Sequence, residues 1–473
     1  MTTYPVCTGG SFKKLSDTFE VRNPYDNKLI ANCSLAGVNE LEESIVAAQS
    51  AEKEMETMSS YRRQEILNGI ASRMQNEREH LASLLAQEAG KPIKYALGEV
   101  DRAVQTFLVA AEESKRLPSE YLSLDWTPAG EGKEGLVKYF PVGIVSGISP
   151  FNFPLNLAVH KIAPAIASGC PIILKPARST PLSALELARI AYSTSLPKGA
   201  LSILPMDRVA GNNLVTDPRF KLLSFTGSPQ VGWKMKEMAG KKKVVLELGG
   251  NAGVIIAKTA NIDKALPKCI GGAFAYSGQV CIHTQRIYID ENIYEAFIER
   301  MAEQTRKLNI GDPQDPKTDI SAMIDEDNAL RVEQWVNEAV DGGARVIAGG
   351  KRIGNIYKPT IITGSRSDMK VCSQEVFGPV VVVEPYSRFE EAIDAINNSP
   401  FGLQAGVFTN QIDEEIFAFN NLKVGGVIIN DVPTFRVDHM PYGGVKESGL
   451  GREGVRYAIH DMMEPRLLVR GKP

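Results

Sequence analysis

Apolar residues in the first quarter of the chain recur at the spacing of amphipathic helices. Between positions 39 and 115, Ile66, Ile70 and Met74 fall on one face of a helix, because residues four apart lie on the same side. The tripeptide Gly90-Lys91-Pro92 interrupts the pattern and is a typical helix stop. The region is therefore predicted to form helices that pack against another layer.

After Tyr139 the pattern changes to short apolar runs that alternate with amphipathic segments. The runs before Cys281 are VGIVSGIS, PIILKPA, LSILP, KLLSFTG and VVLELGG, and those after it are RIYID, ARVIAGG, GPVVVVEPY and GGVIIND. Such alternation is typical of α/β folds with a mainly parallel sheet. Since 473 residues are too many for one simple core, two α/β domains are predicted. Residues 119–137 carry turn residues and isolated aromatics and are predicted to leave the core.

The composition argues against several classes of function. A formal net charge of −3 disfavours a nucleic-acid partner and an anionic membrane surface. The N-terminus has no apolar segment of signal-peptide type, and no apolar stretch is long enough to span a bilayer. The six cysteines lack the paired spacings of a disulfide scaffold, which favours free thiols and a reducing compartment. A cytoplasmic protein is expected.

Two glycine-rich strings are similar to nucleotide-binding motifs. GLGREG, residues 449–454, matches a dinucleotide fingerprint, but it lies near the C-terminus and does not open a first βαβ unit. A turn before a final helix is the preferred interpretation. In KLLSFTGSPQVG, a strand from Leu222 leads into Thr226-Gly227-Ser228 and a helix, where backbone N–H groups suit a pyrophosphate. A phosphate site and an ordinary helix cap fit this string equally well.

One cysteine has neighbours that suit a reactive thiol. Cys281 lies between small residues and a predicted strand, in GGAFAYSGQVCIHTQRIYID. A catalytic thiol acts as its thiolate and needs a dipolar or positive setting, and small neighbours permit close approach of a ligand. A buried core cysteine is the structural alternative. His283 is expected to be structural, and the five histidines show no metal-ligand spacing, so no metal is expected.

Two further residues give Cys281 chemical partners. Glu247 lies near the end of a predicted strand in VVLELGGN, without a local partner, and could act as a general base. Asn152, in SPFNFPLN, places an amide donor in a proline-bounded turn and could stabilise an oxyanion. Together the three residues supply a nucleophile, a base and an oxyanion donor.

Nearly the whole chain resembles the aldehyde dehydrogenase superfamily, and is most similar to its lactaldehyde and semialdehyde dehydrogenases. The segments that carry the resemblance, in that family's order and at its intervals, are FNFP, KPA, FTGS, LELGGN, GQVC, EVFGPV and PYGGVKESG. The resemblance implies NAD(P)-dependent oxidation of a small aldehyde to an acid. Cys281 would attack the aldehyde, and Asn152 and the Cys281 N–H would hold the oxyanion. After hydride transfer, water deprotonated by Glu247 would hydrolyse the thioester.

The resemblance also implies which residues hold NAD or NADP. They are Lys175 for the adenosine ribose, Gly227 and Ser228 for the pyrophosphate, Glu375 and Phe377 for the nicotinamide ribose and ring, and Pro150 and Phe151 as further cofactor contacts. A solvated strand end, a surface carboxylate and core packing are the structural alternatives for Lys175, Glu375 and Phe377.

One position departs from a common pattern of that family. NAD-selective members often carry a carboxylate three residues after the lysine of KPA, and here that residue is Arg178. A guanidinium cannot accept hydrogen bonds from the ribose hydroxyls, but it pairs well with a 2′-phosphate. A side chain in solvent is the alternative. Because the repelling carboxylate is missing in either case, NADP is expected to be accepted alongside NAD.

The resemblance implies three structural parts. They are a Rossmann-type NAD(P)-binding domain of residues 1–118 and 138–247, an α/β catalytic domain of residues 248–449, and a small oligomerisation arm of residues 119–137 and 455–473. Homodimers and homotetramers both occur in the family, and the sequence does not decide between them.

Four residues are candidates for the aldehyde channel, namely Arg102, His160, Arg436 and His439. Helix-surface arginines and capped or packed histidines are the structural alternatives. The surrounding sequence is most similar to family members that act on small hydroxylated or anionic aldehydes, such as lactaldehyde, glycolaldehyde, succinate semialdehyde and phosphonoacetaldehyde.

Three other functions stay open at this point. A CoA-acylating relative would pass the thioester to CoA and typically lacks the base, so Glu247 counts against it. A Cys/His hydrolase would cleave an amide or ester without a nucleotide. A non-catalytic protein on the same fold would have no need of Cys281, Glu247 and Asn152 together. Formation of reduced nicotinamide without CoA separates aldehyde oxidation from all three.

Overall fold

Four helices occupy most of residues 38–113, as predicted for positions 39–115. The computed structural model describes residues 2–471, so positions 1, 472 and 473 of the predicted domain ranges lie outside it. The helices are Val38–Thr57, Ser60–Asn76, Arg78–Ala89 and Ile93–Glu113. The predicted stop separates the last two, because Gly90 takes the left-handed conformation at φ 61°, which glycine adopts without strain. None of the helices within 2–471 is long and apolar enough to cross a membrane.

The first large sheet contains the apolar runs that precede Cys281. Its strands lie in the order Gly449–Leu450, Lys243–Glu247, Leu222–Thr226, Val145–Ile148, Ile172–Lys175, Leu201–Ile203, Val6–Thr8 and Ser11–Lys13. The inner strands run parallel and the outer ones antiparallel. Ile172 and Leu174 enter one core and Ile173 another, so both faces of the sheet are covered. The associated helices are Asn156–Ser168, Leu182–Tyr192, Arg208–Gly211, Asn213–Thr216 and Pro229–Met238.

The second large sheet contains the runs that follow Cys281 and further strands between them. In spatial order its strands are Arg345–Ala348, Thr360–Thr363, Val380–Tyr386, Thr284–Asp290, Ala252–Ile256, Gln404–Phe408 and Gly426–Ile429. Only the first runs antiparallel to its neighbour within the described chain. The helices of this part are Ile262–Phe274, Glu291–Arg306, Glu326–Asp341, Lys370–Ser373, Phe389–Asn397 and Ile412–Asn421. The two layered sheets confirm the predicted α/β fold.

Short strands complete the two parts. A small sheet contains Thr3–Tyr4, Leu29–Ser34 and Thr18–Arg22, and two-stranded pairs join Arg352–Ile353 to Ile356–Tyr357 and Phe401–Gly402 to Val445–Lys446. Shortly after the last of these, Gly449–Leu450 pairs with the strand that ends at Glu247. Gly454 then precedes the helix Val455–Asp461. The string GLGREG is thus a short strand and turn before a helix, as interpreted from the sequence.

Residues of the predicted arm take part in a separate antiparallel sheet. Its strands are, in spatial order, Met463–Gly471, Lys133–Pro141 and Ser119–Ser123, with a 3₁₀ turn at Pro128–Gly130. The middle strand therefore extends past residue 137. Residues 455–461 form a helix that is not part of this sheet. Its Val455 and Ile459 side chains pack in the core of the N-terminal helices. Their four-residue spacing gives this short helix an apolar face that the neighbouring helices bury.

The strands that carry predicted site residues end at one edge of the first sheet. Glu247, Thr226 and Lys175 are the last residues of parallel strands. Since the carboxyl ends of parallel strands meet at one edge, ligand sites of open α/β sheets form there. The second sheet meets this edge. Gly250 follows the strand that ends at Glu247, and it packs so closely on the loop of Cys281 that a Cβ on Gly250 would lie 2.2 Å from the Cys281 carbonyl oxygen.

Candidate active site

Cys281 lies in an irregular loop whose backbone conformation is tightly constrained. The helix Ile262–Phe274 is followed by a 3₁₀ turn in which Tyr276 and Ser277 have φ values of 51° and 53°, a conformation that side chains rarely adopt. Gly278 allows the loop to pack, since a Cβ there would lie 2.1 Å from the Gly378 carbonyl oxygen. Such strain is maintained only where the surrounding structure enforces it, and it clusters at functional sites.

The thiol of Cys281 is half-buried and meets one polar partner. Its Sγ atom lies 3.0 Å from the Tyr442 hydroxyl. Burial, with a smaller contribution from Glu375 and Glu247, raises the pKa of the Cys281 thiol to about 11, although Tyr442 and Arg436 act in the opposite direction. The resting group is therefore a thiol, and the groups around the sulfur decide how readily it ionises.

Glu247 brings an unpartnered carboxyl group to the same region. Both of its carboxyl oxygens are buried and have no hydrogen-bond partner among the described residues. Burial raises the pKa of Glu247 well above its ordinary value, with a further contribution from Glu453 that Arg436 and Lys161 oppose. A Cβ on Gly443 would lie 2.8 Å from one of these oxygens. A carboxyl group in this setting holds its proton more readily than a solvated glutamate does.

Asn152 lies beside the backbone of the cysteine loop. Its side-chain amide donates a 3.0 Å hydrogen bond to the carbonyl of Gln279, two residues before Cys281. An amide carries two N–H donors, and this is the one hydrogen bond that the amide donates within residues 2–471. The second N–H has no hydrogen-bond partner among the described residues.

A buried ion pair fixes the loop that carries Asn152. The Glu99 carboxylate accepts hydrogen bonds of 3.0 and 3.1 Å from the backbone N–H groups of Leu155 and Asn156. Lys91 pairs with Glu99, and its ammonium lies 3.8 Å from the centre of the Phe153 ring. Because hydrogen bonds to the charged Glu99 and a cation–π contact act on Phe153, Leu155 and Asn156, the loop is held in one conformation.

A cavity of about 570 Å³ opens at the ends of the first-sheet strands. The lining includes Ile148, Lys175, Arg178, Met206, Asp207, Arg208, Gly211, Phe225, Gln230 and Lys234. Burial lowers the pKa of Lys175, and the nearby Arg208 and Arg178 lower it further, against Asp207. Gly211 leaves room for this lysine, since a Cβ there would lie 2.9 Å from its Cε atom. The cavity thus combines apolar walls with a cluster of cations.

Arg178 is exposed on one side and lines this cavity on the other. Its guanidinium carbon lies 4.9 Å from the centre of the Phe19 ring. Stacking on an aromatic ring limits the motion of the guanidinium without using its N–H donors. The N–H donors of this side chain have no hydrogen-bond partner among the described residues.

Gly227 and Ser228 form the turn between the strand Leu222–Thr226 and the helix Pro229–Met238. The Gly227 N–H donates to the Glu247 carbonyl at 3.0 Å, and a Cβ on Gly227 would lie 2.5 Å from the Phe225 ring. Ser228 precedes the helix, and its side chain forms no capping hydrogen bond to it. The Ser228 side chain therefore accepts no hydrogen bond from the N–H groups of the first helical turn.

Glu375 and Phe377 lie beside the glycines that follow Glu247. The Gly250 N–H donates a 2.9 Å hydrogen bond to Glu375, and burial raises the pKa of Glu375 to about 7. Phe377 has a φ of 46° and meets the Phe151 ring edge-to-face at 5.8 Å. Glu375 is therefore not a solvated surface carboxylate, and Phe377 contacts the loop that contains Pro150 and Phe151.

Three of the four residues suggested for the aldehyde channel form one polar cluster. Asp438 accepts from Arg102 at 2.7 Å and lies 2.8 Å from His160 Nε2. Arg436 lies 3.3 Å from the same His160 atom. His439 is exposed and takes part in no hydrogen bond or ion pair within residues 2–471, so the structure does not bring it into the cluster.

Several residues of this cluster could not be identified by the sequence analysis. Glu453 accepts from Arg436 at 2.9 Å and from Lys161 at 3.3 Å, although it lies in the GLGREG string that was interpreted as a turn. The Arg436 guanidinium carbon also lies 3.7 Å from the centre of the Tyr442 ring. Tyr442 belongs to PYGGVKESG, one of the segments that carry the family resemblance. Its place in that segment is the sequence signal that could have identified it as a site residue.

His283 has the structural role expected from the sequence. Its Nε2 atom lies 2.8 Å from the Ala273 carbonyl oxygen, and the ring is buried. Burial lowers the pKa of His283 to about 4, so the ring is neutral at pH 7. Its polar contact is to backbone and not to Cys281, which weakens the case for a Cys/His hydrolase.

Comparison with known proteins gives matches over the entire fold. The Aldehyde dehydrogenase family model matches residues 12–468. A 3-sulfolactaldehyde dehydrogenase of Priestia aryabhattai is 43% identical over 467 residues, which are 98% of each chain. A lactaldehyde dehydrogenase of Methanococcus aeolicus is 41% identical over 457 residues, 95% of this chain and 96% of that one. A similar solved structure is the crystal structure of aldehyde dehydrogenase 21 from Physcomitrella patens in complex with the reaction product succinate. It matches with a TM-score of 0.98 and 44% sequence identity, over 99% of this chain and 98% of that one.

Proposed function

Because the chain belongs to the aldehyde dehydrogenase family, and so oxidises small aldehydes to carboxylic acids with a nicotinamide cofactor, we propose that Cys281 is its nucleophile. The observation that carries this proposal is the convergence of unlike groups on one thiol. A buried, unpartnered Glu247 carboxyl lies near Cys281, and the Asn152 amide lies beside the same loop. These are the base and the oxyanion donor that acyl chemistry on a cysteine requires.

The residues act in two stages. The Cys281 thiolate attacks the aldehyde carbon, and the free N–H of Asn152 stabilises the oxyanion together with the Cys281 backbone N–H. The nicotinamide cofactor, when bound, supplies the acceptor for the hydride. Glu247 then deprotonates the water that attacks the resulting Cys281 thioester, which releases the acid and restores the thiol. This role of Glu247 favours hydrolysis over transfer of the acyl group to CoA.

One assay tests this function directly. The purified protein, a small aldehyde and NAD or NADP, without CoA, should yield reduced cofactor and acid in equal amounts. Cys281→Ala should form neither product. Cofactor reduction that depends on CoA would instead support the acylating alternative, and activity in Cys281→Ala would remove the cysteine from the reaction.

The cavity beside Lys175 fits the adenosine end of the cofactor and favours use of NADP as well as NAD. Its apolar walls suit an adenine, and Gly211 and Gly227 occupy positions where a Cβ would crowd a neighbouring side chain. Lys175, Arg178 and Arg208 bring positive charge to the cavity, which suits a 2′-phosphate. Ser228 and the following helix N-terminus would receive the pyrophosphate, and Glu375 with Phe377 would hold the nicotinamide end.

The polar cluster near Cys281 favours aldehydes with an anionic tail. The Nε donors of Arg102 and Arg436 are buried and without partners among the described residues, so each arginine keeps a donor for a ligand. One similar protein is named for a sulfonated aldehyde, and a similar structure contains the dicarboxylate succinate. Another is named for the uncharged lactaldehyde. A small hydroxylated aldehyde, with preference for an anionic tail, is the proposed substrate.

The sheet of the arm favours a homo-oligomer. In the strand Met463–Gly471, residues after Met463 are exposed on both faces of the sheet, and Leu467, Leu468 and Val469 are about half exposed. Apolar side chains on both faces of a strand indicate a surface that a partner covers. Light scattering should therefore give a dimer or a larger multiple of the 51.6 kDa chain, and a monomer would contradict this. A cytoplasmic location stays a prediction, supported by six free cysteines.

A further inference from the structure

The hydroxyl of Tyr442 contacts the sulfur of Cys281, and the surrounding packing restricts the movement of the tyrosine side chain. The two atoms lie 3.0 Å apart, which is the one hydrogen bond of this hydroxyl within residues 2–471. Tyr442 is only 3% exposed and packs with Ile282 and Leu403. Its backbone is fixed on both sides by hydrogen bonds with Glu453. The contact therefore follows from packing and not from a mobile surface side chain.

The hydroxyl of Tyr442 is suited to donate to a thiolate. Burial raises the pKa of Tyr442 well above its ordinary value, and the nearby thiol raises it further, against Arg436, so the phenol keeps its proton at neutral pH. Arg436 lies over the ring at 3.7 Å, where its charge draws electron density from the ring and strengthens the O–H as a donor. A thiolate, in turn, has no proton of its own and can only accept.

We propose that Tyr442 is a further catalytic residue, whose hydroxyl donates a hydrogen bond to the Cys281 thiolate and holds the sulfur until it attacks the aldehyde. The proposal rests on the proposed role of Cys281 as nucleophile. The thiol proton leaves to solvent, and Tyr442 retains its own proton throughout. When the S–C bond forms, the carbonyl π bond becomes the oxyanion, and the sulfur, now without charge, releases the hydrogen bond.

The hydrogen bond changes reactivity in a calculable direction. Of the ionisable groups around the sulfur, Arg436 favours the thiolate, whereas Glu375 and Glu247 oppose it. The Tyr442 hydroxyl lowers the pKa of the thiol, so the fraction of thiolate below that pKa rises. Nucleophilicity falls with pKa, but only by roughly threefold for each tenfold gain in thiolate. The net effect at neutral pH is a faster reaction, by roughly threefold for each tenfold gain in thiolate.

Alkylation of the intact enzyme by iodoacetamide tests this effect. Tyr442→Phe removes one oxygen and keeps the ring, and Tyr457→Phe makes the same change at a tyrosine that is 39% exposed. The rate at Cys281 is followed by tandem mass spectrometry between pH 6 and 10, with Cys372 as an internal reference. Tyr442→Phe should slow alkylation of Cys281 at pH 7 to 8, by roughly threefold for each tenfold loss of thiolate, whereas Tyr457→Phe and Cys372 should be unaffected.

The direction of the change separates this role from a packing role. A pocket that is merely loosened admits the reagent more easily, so alkylation would become faster. An unchanged or increased rate at Cys281 in Tyr442→Phe would overturn the proposal. The assay reads sulfur chemistry without turnover, so its outcome is independent of whether Cys281→Ala abolishes aldehyde oxidation, which tests the proposed function itself.

Discussion

The Glu453 carboxylate accepts a 2.9 Å hydrogen bond from the Arg436 guanidinium, and both side chains are at least 94% buried. Lys161 lies on the other carboxylate oxygen at 3.3 Å. Although burial opposes ionisation, Lys161 and Arg436 hold the pKa of Glu453 at about 2. One carboxylate therefore compensates two buried cations, close to the proposed nucleophile.

Removal of this carboxylate should destabilise the protein strongly. Glu453→Gln would leave Arg436 and Lys161 uncompensated inside the protein, and loss of one partner of a buried ion pair costs about 3–5 kcal/mol. The free energy of unfolding from denaturant titration measures the effect. Glu43→Gln is the matched control, because the Lys13–Glu43 pair is exposed and should contribute less than about 1 kcal/mol. Similar small losses in both variants would show that the buried pair has no special weight.

The raised pKa of Glu247 predicts a pH dependence of the hydrolytic step. A base must be deprotonated to act, and burial with Glu453 holds its pKa well above the ordinary carboxyl value. Hydrolysis of the thioester should therefore slow as the pH falls through a midpoint well above about 4.3, the value of a solvated glutamate. The rate of decay of an acylated Cys281 between pH 5 and 9 measures this. A rate that stays constant down to pH 5 would contradict the environment described for Glu247.

Arg102 should distinguish charged from uncharged aldehydes. Its guanidinium is partly exposed and paired with Asp438, so Arg102→Gln is less disruptive than a change at the buried Arg436. For a carboxylated or sulfonated aldehyde the KM should rise by about tenfold or more, since a hydrogen bond to a charged group is lost. For propanal the KM should change little. Equal effects on both aldehydes would assign Arg102 a structural role.

Arg178 should influence the choice between NADP and NAD. Its guanidinium stacks on Phe19 at 4.9 Å and lines the cation-rich cavity. Arg178→Glu removes an attraction for the 2′-phosphate and adds a repulsion, so the ratio of kcat/KM should shift toward NAD by about 1–3 kcal/mol. Arg366→Glu, at an exposed position, is the control for charge alone. Wild-type protein that does not use NADP, or an unchanged ratio in Arg178→Glu, would contradict the assignment.

Short segments with a strong local signal were predictable from the sequence. The strand ends at Lys175 and Glu247 follow from apolar runs closed by a polar residue and by glycines, and the turn at Gly227 follows from a strand that leads into a helix. Each of these depends on neighbours within a few residues. The local sequence also indicates Cys281, Glu247 and Asn152 as candidate nucleophile, base and oxyanion donor, whereas the order of their reaction steps is implied by the resemblance to one family.

Contacts between distant segments could not be predicted in the same way. Glu453 meets Lys161 across 292 residues of chain, and no local pattern records such a contact. The GLGREG string was correctly interpreted as a turn, yet that interpretation said nothing about the carboxylate within it. The packing of Val455 and Ile459 against the N-terminal helices is also a contact between distant segments, and the short apolar spacing of these two residues does not indicate it.

A single-turnover experiment with Glu247→Gln tests the central claim most directly. Only hydrolysis needs the base, so this variant should form about one equivalent of reduced cofactor per active site and then stop. An acyl adduct should be found on Cys281 by mass spectrometry. Glu464→Gln, on the exposed strand of the arm, should turn over like the wild type. Steady turnover at the wild-type rate by Glu247→Gln, without an adduct on Cys281, would contradict the account.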